Sequence, residues 1–456
     1  MTLLEISSGD TAWVLASAAL VLLMTPGLAM FYGGMVRANS TLNMIMMSFV
    51  TMGTVGVMWA LYGYGMAFGN SVGGAGIIGN PIPLLGLHAA MGDATAGTLP
   101  AMAFVAFQAG FAIIAVALVS GAVADRMTFP AWILFTILWG TLVYFPAAHW
   151  VFAFDGFAAA KGGWIANKIG VIDFAGGTAI HINAGIAALM MAIVLKPRIG
   201  FGSKPMRPHN MTLVMLGAGI LWFGWFGFNA GSALTAGGLA SHAWVTTLVA
   251  TSAAMLAWLA TERIRDGHFT SLGAASGVVA GLVAITPACS SVTPVGAIVV
   301  GVVAGVLCAL AVGLKFKFGY DDSLDVVGVH MVGGLTGTLL IGFLASGSAP
   351  GTHFTAADGT VTIVKGLFYG GDASQLGKQA IGAFSVLAYS AVVTLLIGLF
   401  LKAVMKIRVA PQAELDGIDL EEHAEVAYDL SSVRYTAYRV NQRLVIPASK
   451  PEEVKA

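Results

Sequence analysis

Charge is what this chain lacks. Only 10% of its 456 residues are Asp, Glu, Lys or Arg, where a soluble domain needs about a quarter to cover its surface. That scarcity excludes a water-exposed globule. The 22 basic and 22 acidic residues cancel, so no electrostatic footprint for nucleic acid exists and no such partner is expected. Cysteine is nearly absent. Cys289 falls near a predicted outer loop and Cys308 within an apolar run, which excludes a disulfide framework and makes redox chemistry a poor candidate. The opening stretch MTLLEISSGDTAW holds two acids and no Lys or Arg. It lacks the basic segment of a cleaved signal peptide, so the first apolar run is expected to remain as a membrane helix.

What is present in excess is apolar: 57% of residues are hydrophobic and the mean hydropathy is +0.85. An all-α integral membrane protein is the class these values imply. A bilayer requires about 20 mainly apolar residues per spanning helix. That ruler gives eleven candidate spans, at 11–34, 41–69, 98–124, 128–152, 174–195, 210–234, 241–262, 270–288, 294–316, 325–347 and 379–405. With the N-terminus outside, inner loops carry Arg37, Arg126, Lys196, Arg198, Lys204, Arg207, Arg263, Arg265, Lys315 and Lys317, against Lys161, Lys168, Lys365 and Lys378 outside. Basic residues favour the cytoplasmic side. Residues 1–405 therefore read as a transmembrane transport domain, and 406–456 as a cytoplasmic tail. Glycine, at 59 residues, suits close helix packing, as at Gly277–Gly281, Gly301–Gly305 and Gly333–Gly337.

Two histidines stand out in this apolar setting. His181 lies in DFAGGTAIHINAG (173–185) and His330 in DVVGVHMVGG (325–334), each shortly after an aspartate. An ionisable group at membrane depth costs several kcal/mol unless it pairs or serves a pathway. The second pattern recurs five spans after the first, so spans 1–5 and 6–10 read as an inverted repeat, whose interface is a common transport site. From the helix rise, His181 falls roughly 12 Å below the outer end of its span and His330 roughly 8–12 Å above the inner end of its own, near the middle of a core about 30 Å thick. Helix-gluing hydrogen bonds are the plainer reading of each. A zinc site would lack its remaining ligands, so no metal or cofactor is expected. Asp173 and Asp325 belong at helix starts, where a carboxylate caps free N–H groups and suits the dipole. Asp173 could also shape the outer access for a cation.

Aromatic residues supply the rest. Trp225, Phe228 and Ser232 share one face of span 6 at i, i+3 and i+7, with Ser232 outermost. Phe107 and Phe111 lie at i and i+4 in span 3, with Gln108 between them, and span 4 ends in HWVF (149–152). Rings beneath a polar mouth suit cation–π capture above a hydrophobic constriction, though interfacial and core aromatics form such clusters too. No nucleophile stands beside the histidines, so an enzyme is disfavoured.

PGLAMFYGGMVR (26–37), AFQAGFA (106–112), DFAGGTAIHINAG, GWFGFNAGSA (224–233) and DVVGVHMVGG together resemble the ammonium transporter family of Amt, Mep and Rh proteins, up to about residue 428. The resemblance is to the bacterial Amt type. It implies a trimer of eleven-helix subunits in the cell inner membrane, each with its own pore for ammonium or ammonia. It further implies a gate at Phe111 and Phe228, Trp225 lining the pore near it, twin pore histidines at His181 and His330, recruitment at Ser232, and an aspartate needed for conduction at Asp173. The candidate recruitment set is Ser232, Phe107, Phe152 and Trp150, and the candidate pore lining Trp225 and Gln108. A PII-type cytosolic regulator at the inner loops and tail is also implied. Phe152 stands where bacterial members usually carry tryptophan, a better cation binder, so affinity falls unless Trp150 compensates. In the tail segment DGIDLEEHAEVAYD (416–429), Ala424 stands where glycine is usual. Residues 430–456 extend past the resemblance.

On physical grounds, ammonium resembles potassium in size and charge, and proton loss is what separates them. An ion in an apolar pore loses its hydration at a cost of several kcal/mol, and neutral ammonia loses far less. Histidines that relay the proton make transport electrogenic; a proton left outside makes it a passage for neutral gas. An ammonium sensor signalling through the tail is the alternative function.

Overall fold

A computed structural model describes residues 5–204, 206–355 and 360–428. The tail residues 430–456 lie outside the described residues. Eleven long helices coincide with the eleven apolar runs: α1 Ser8–Met35, α2 Ala38–Phe68, α3 Ala101–Val123, α4 Phe129–Phe152, α5 Gly177–Leu195, α6 Met211–Gly231, α7 Gly238–Asp266, α8 Ser271–Ile285, α9 Pro294–Phe318, α10 Val327–Leu344 and α11 Ser374–Val404. Ten are long and apolar enough to cross a membrane. The exception is α8, whose 15 residues reach only about 22 Å. The reason is local: Thr286 keeps helical backbone at φ −50° and ψ −48°, but Pro287 after it has no N–H to continue the ladder. The chain continues beyond it through turns to Val292. Two short antiparallel ribbons, Thr95–Ala96 with Leu99–Pro100 and His353–Thr355 with Val361–Ile363, complete the loops.

Helix α1 runs beside α6, so the first helices of the two halves form a seam. Glycines permit that approach: a Cβ on Gly217 would sit 2.3 Å from the Phe31 nitrogen. The predicted glycine pairs pack as expected, with Gly277 and Gly281 of α8 and Gly301 and Gly305 of α9 all against α7. Large apolar side chains stay exposed on the flank, among them Leu256, Phe384, Val392, Leu396 and Phe400. On a bundle of this composition that surface faces lipid.

Below α11 the tail folds back onto the bundle as α12 (Pro411–Asp416) and α13 (Ile418–His423). Asp419 accepts the N–H groups of Leu42 and Asn43 at the start of α2, at 3.0 and 2.8 Å, and Glu422 accepts that of Phe129 at the start of α4. Arg408 forks onto Glu414 and donates to the Leu195 and Pro197 carbonyls at the end of α5. The described part of the tail is thus a structured cover, tied to three helix ends by charge-assisted hydrogen bonds.

Candidate functional site

Helices α5 and α10 both begin with an over-wide π turn, Gly177–Ile182 and Val327–Met331, and each turn carries one of the two histidines. Such turns concentrate at functional sites. One turn further on, Gly185 and Gly334 mark where the helices cross. A Cβ on Gly185 would meet the Met331 nitrogen at 2.4 Å, and one on Gly334 the Gly177 oxygen at 2.9 Å. Backbone approach at these glycines brings the buried imidazoles together, with His330 Nδ1 3.2 Å from His181 Nδ1. One of these nitrogens must carry the proton and the other accept it. His181 Nε2 is buried without a partner. The His181 ring is held between Trp225, at 5.4 Å and 16°, and His330, at 5.3 Å and 17°. Trp225 is itself fixed by donating Nε1–H to Thr286 Oγ1 at 2.8 Å.

The phenylalanines of α3 and α6 close over this pair. Phe111 stacks on Phe228 at 4.2 Å and 14°, both fully buried, and Phe228 lies 6.2 Å from His181. Around the histidines is a cavity of about 10 Å³, lined by apolar groups such as Leu28, Ile114, Leu118 and Leu221. That is close to the space one water-sized molecule needs. On the other side of the stack Phe107 packs against Phe111 at 4.8 Å, and Phe152 reaches the same ring at 6.5 Å. Ser232, half-buried at the end of α6, donates its hydroxyl to the Phe228 carbonyl at 2.8 Å, leaving the oxygen lone pairs to accept from a cation.

One residue expected at this site is directed elsewhere. Trp150 donates to the Ile77 carbonyl at 2.6 Å and packs on Tyr389 at 4.6 Å and Trp164 at 5.8 Å, so it does not stand in for the missing tryptophan at 152. Gln108, between the two α3 phenylalanines in sequence, is buried.

Asp173 caps α5 as expected, and more fully. Its Oδ1 accepts the Gly176 and Gly177 N–H groups at 2.9 and 2.6 Å, and its Oδ2 accepts those of Thr178 and Ala179 at 2.8 and 3.3 Å, along with the Thr178 hydroxyl. Asp325 corrects the sequence reading. Its side chain takes the Lys315 ammonium at 2.6 Å, and its backbone turns the chain at φ +64°, a conformation aspartate tolerates. The cap of α10 is Asp322, which accepts the Val327 N–H at 2.7 Å. Asp322 stands eight residues before His330, as Asp173 stands eight before His181. That equal spacing was the available signal, obscured by the nearer Asp325.

The end of the bundle where the tail folds back holds a buried ion network for which the sequence offered only loop charges. Arg198 grips Asp321 through Nε and Nη2, both at 2.8 Å, and Asp125 through Nη1 at 3.0 Å. Arg126, fully buried, donates to the Asp321 carbonyl and to Ser323, both at 2.6 Å. Burial pushes the Arg126 guanidinium down to about 10 even with Asp321 beside it.

A multi-helix bundle whose apolar interior holds two coupled imidazoles in a small cavity beside stacked rings is that of a multi-pass membrane protein, consistent with a transporter. Comparison with known proteins narrows this. The Ammonium Transporter Family profile matches residues 12–428, and the chain belongs to that family. An ammonium transporter of Mycobacterium bovis is 63% identical over 93% of this chain and 91% of its own length. Among solved structures, a "Sensor Amt Protein" superposes with a TM-score of 0.81 at 30% identity, over 91% of this chain and 98% of that one. Mep2 of Saccharomyces cerevisiae superposes with a TM-score of 0.79 at 32% identity, over 89% and 88%.

Proposed function

We propose that this chain moves ammonium across the cell's inner (plasma) membrane, stripping its proton before passage. Ammonium is held at the outer mouth by the Ser232 oxygen and by the faces of Phe107 and Phe152. It gives up its proton below them and passes the Phe111/Phe228 constriction as ammonia, while His181 and His330 relay the proton. The observation that carries this reading is the stacked ring pair at 4.2 Å next to a narrow cavity whose apolar wall is broken by two imidazoles sharing one hydrogen bond. Potassium has no proton to give up and stays excluded by its desolvation cost. One hydrogen bond between the Nδ1 atoms holds one proton. A second proton arriving at one Nε2 therefore obliges release from the other ring, a relay that imidazole performs at accessible pH.

The orientation follows from charge: Arg37, Arg198, Lys204 and Arg207 line a cleft that also meets the tail residues Glu414 and Leu415, which supports a cytoplasmic tail from residue 406 and an outer N-terminus. Family membership supports a homotrimer and a PII-type regulator docking on the inner loops and tail. A second reading, an ammonium sensor signalling through the tail, is favoured by the hydrogen bonds that tie Asp419 and Glu422 to the starts of α2 and α4.

Currents in liposomes, recorded with ammonium and then potassium for the wild type and for His181→Ala, test this. Ammonium current from the wild type, no potassium current, and loss of the ammonium current in the variant are expected. Robust potassium current through the wild type overturns proton stripping. No ammonium current, with partner binding by the tail intact, favours the sensor.

A further inference from the structure

Asp173 and Asp322 occupy matching places in the two halves, yet they are treated oppositely by their surroundings. Both oxygens of Asp173 are saturated by four backbone N–H groups and a hydroxyl. A carboxylate so held has no oxygen left without a partner. Asp322 is 1% exposed. Its Oδ2 takes the Val327 N–H, while its Oδ1 is buried without a hydrogen-bond partner. A buried carboxylate oxygen left unpaired is costly unless it takes a proton.

The charges that act on Asp322 come from several elements. Lys315, at the end of α9, bonds the Asp322 carbonyl at 3.1 Å and the Asp325 carboxylate at 2.6 Å. Asp325 presents a like charge from the same loop, and Tyr320 and Tyr32 of α1 lie within its electrostatic range. Burial pushes the Asp322 carboxyl up to about 6, with Lys315 opposing and Asp325 adding to the rise. It therefore exchanges its proton close to physiological pH, as a carrier must.

We propose that Asp322 is the proton acceptor at the inner end of the histidine relay, taking the proton at its free Oδ1 and releasing it to water on the tail side. The N–H bond of the imidazolium breaks, the proton crosses through solvent, an O–H bond forms on Asp322, and that bond breaks in turn as the proton leaves. Asp322 is thereby the directional counterpart of Asp173: equal in place, unequal in bonding. This rests on the relay reading given above.

Asp322→Asn is the informative variant, because its amide oxygen still accepts the Val327 N–H and preserves the cap. In liposomes the wild-type ammonium current should fall as the inner pH drops through about 6, since the acceptor is then already protonated. The asparagine variant should lose at least ~10-fold in current and its inner-pH dependence, and Asp322→Glu should restore both with a displaced midpoint. An asparagine variant with wild-type current and pH profile overturns the inference and leaves the relay standing. A wild type without ammonium current overturns both. Should the asparagine variant fail to fold, Asp322→Glu decides alone, and an inner-pH midpoint identical to the wild type's overturns the assignment.

Discussion

Phe111 and Phe228 lie face to face at 4.2 Å and 14°, contributed by helices more than a hundred residues apart in sequence. Both rings are fully buried, and in the proposed function they close the route from the outer mouth to the histidines. A hydrophobic constriction excludes ions by keeping water out. The double variant Phe111→Ala/Phe228→Ala should let water enter and raise potassium efflux from loaded liposomes by at least ~10-fold, equivalent to about 1.4 kcal/mol of lost barrier. Unchanged potassium exclusion would place the barrier elsewhere.

Phe152 reaches the Phe111 ring at the position where a tryptophan would offer a stronger face to a cation. Trp150 is committed to Ile77, Tyr389 and Trp164 and cannot substitute. Phe152→Trp should strengthen cation–π attraction by about 0.5–1 kcal/mol. The ammonium concentration giving half-maximal current should then fall about 2–5-fold, with the maximal current little changed.

Asp321 is wholly buried between Arg198 and Arg126. Burial alone would raise its carboxyl, but the Arg198 hydrogen bonds and the Arg126 charge outweigh that and hold it below the usual range. A carboxylate depressed by folding contributes stability in full above its unfolded value of 3.8, and loses it as pH falls through the lower folded value. Melting temperature followed across an acid titration should decline in that window. At neutral pH Asp321→Asn should cost about 3–5 kcal/mol, because Arg198 loses its bidentate carboxylate and Asp125 is left to balance two buried guanidiniums.

Ala424 ends α13 at φ +54°, a left-handed conformation that costs a residue with a Cβ about 1–2 kcal/mol and costs glycine almost nothing. The glycine usual at this position in related tails has that physical reason. Ala424→Gly should hold the tail more firmly, slowing hydrogen exchange across 418–423 by roughly 5-fold per kcal/mol gained. Faster exchange would show that this turn does not limit docking.

Much of the molecule was readable from its residues. The eleven apolar runs, the packing glycines, the inverted recurrence of Asp and His, and the i, i+3, i+7 face of Trp225, Phe228 and Ser232 all depend on hydrophobicity and helical period, which are local. The shortness of α8 was also local, since Pro287 announces it, but the segment that follows is as buried as a helix would be. What sequence spacing could not resolve was which way a side chain turns once its helix has neighbours. Trp150 and Phe152 sit two residues apart, and only one faces the gate.

By itself, then, the sequence determined that this is a helical membrane bundle carrying two histidines within apolar helices, because burying apolar surface and satisfying backbone N–H groups inside each helix are obligations that composition and period express directly. Only the tertiary structure decided that Asp322 rather than Asp325 caps α10, that Arg126 and Arg198 converge on Asp321, and that the tail ties down α2, α4 and α5. The first hangs on how a short loop folds, with contacts five and ten residues apart, and the others on contacts between residues far apart in the chain. There a few ångströms of helix approach, set by glycines such as Gly185 and Gly334, settle which partner each polar group finds.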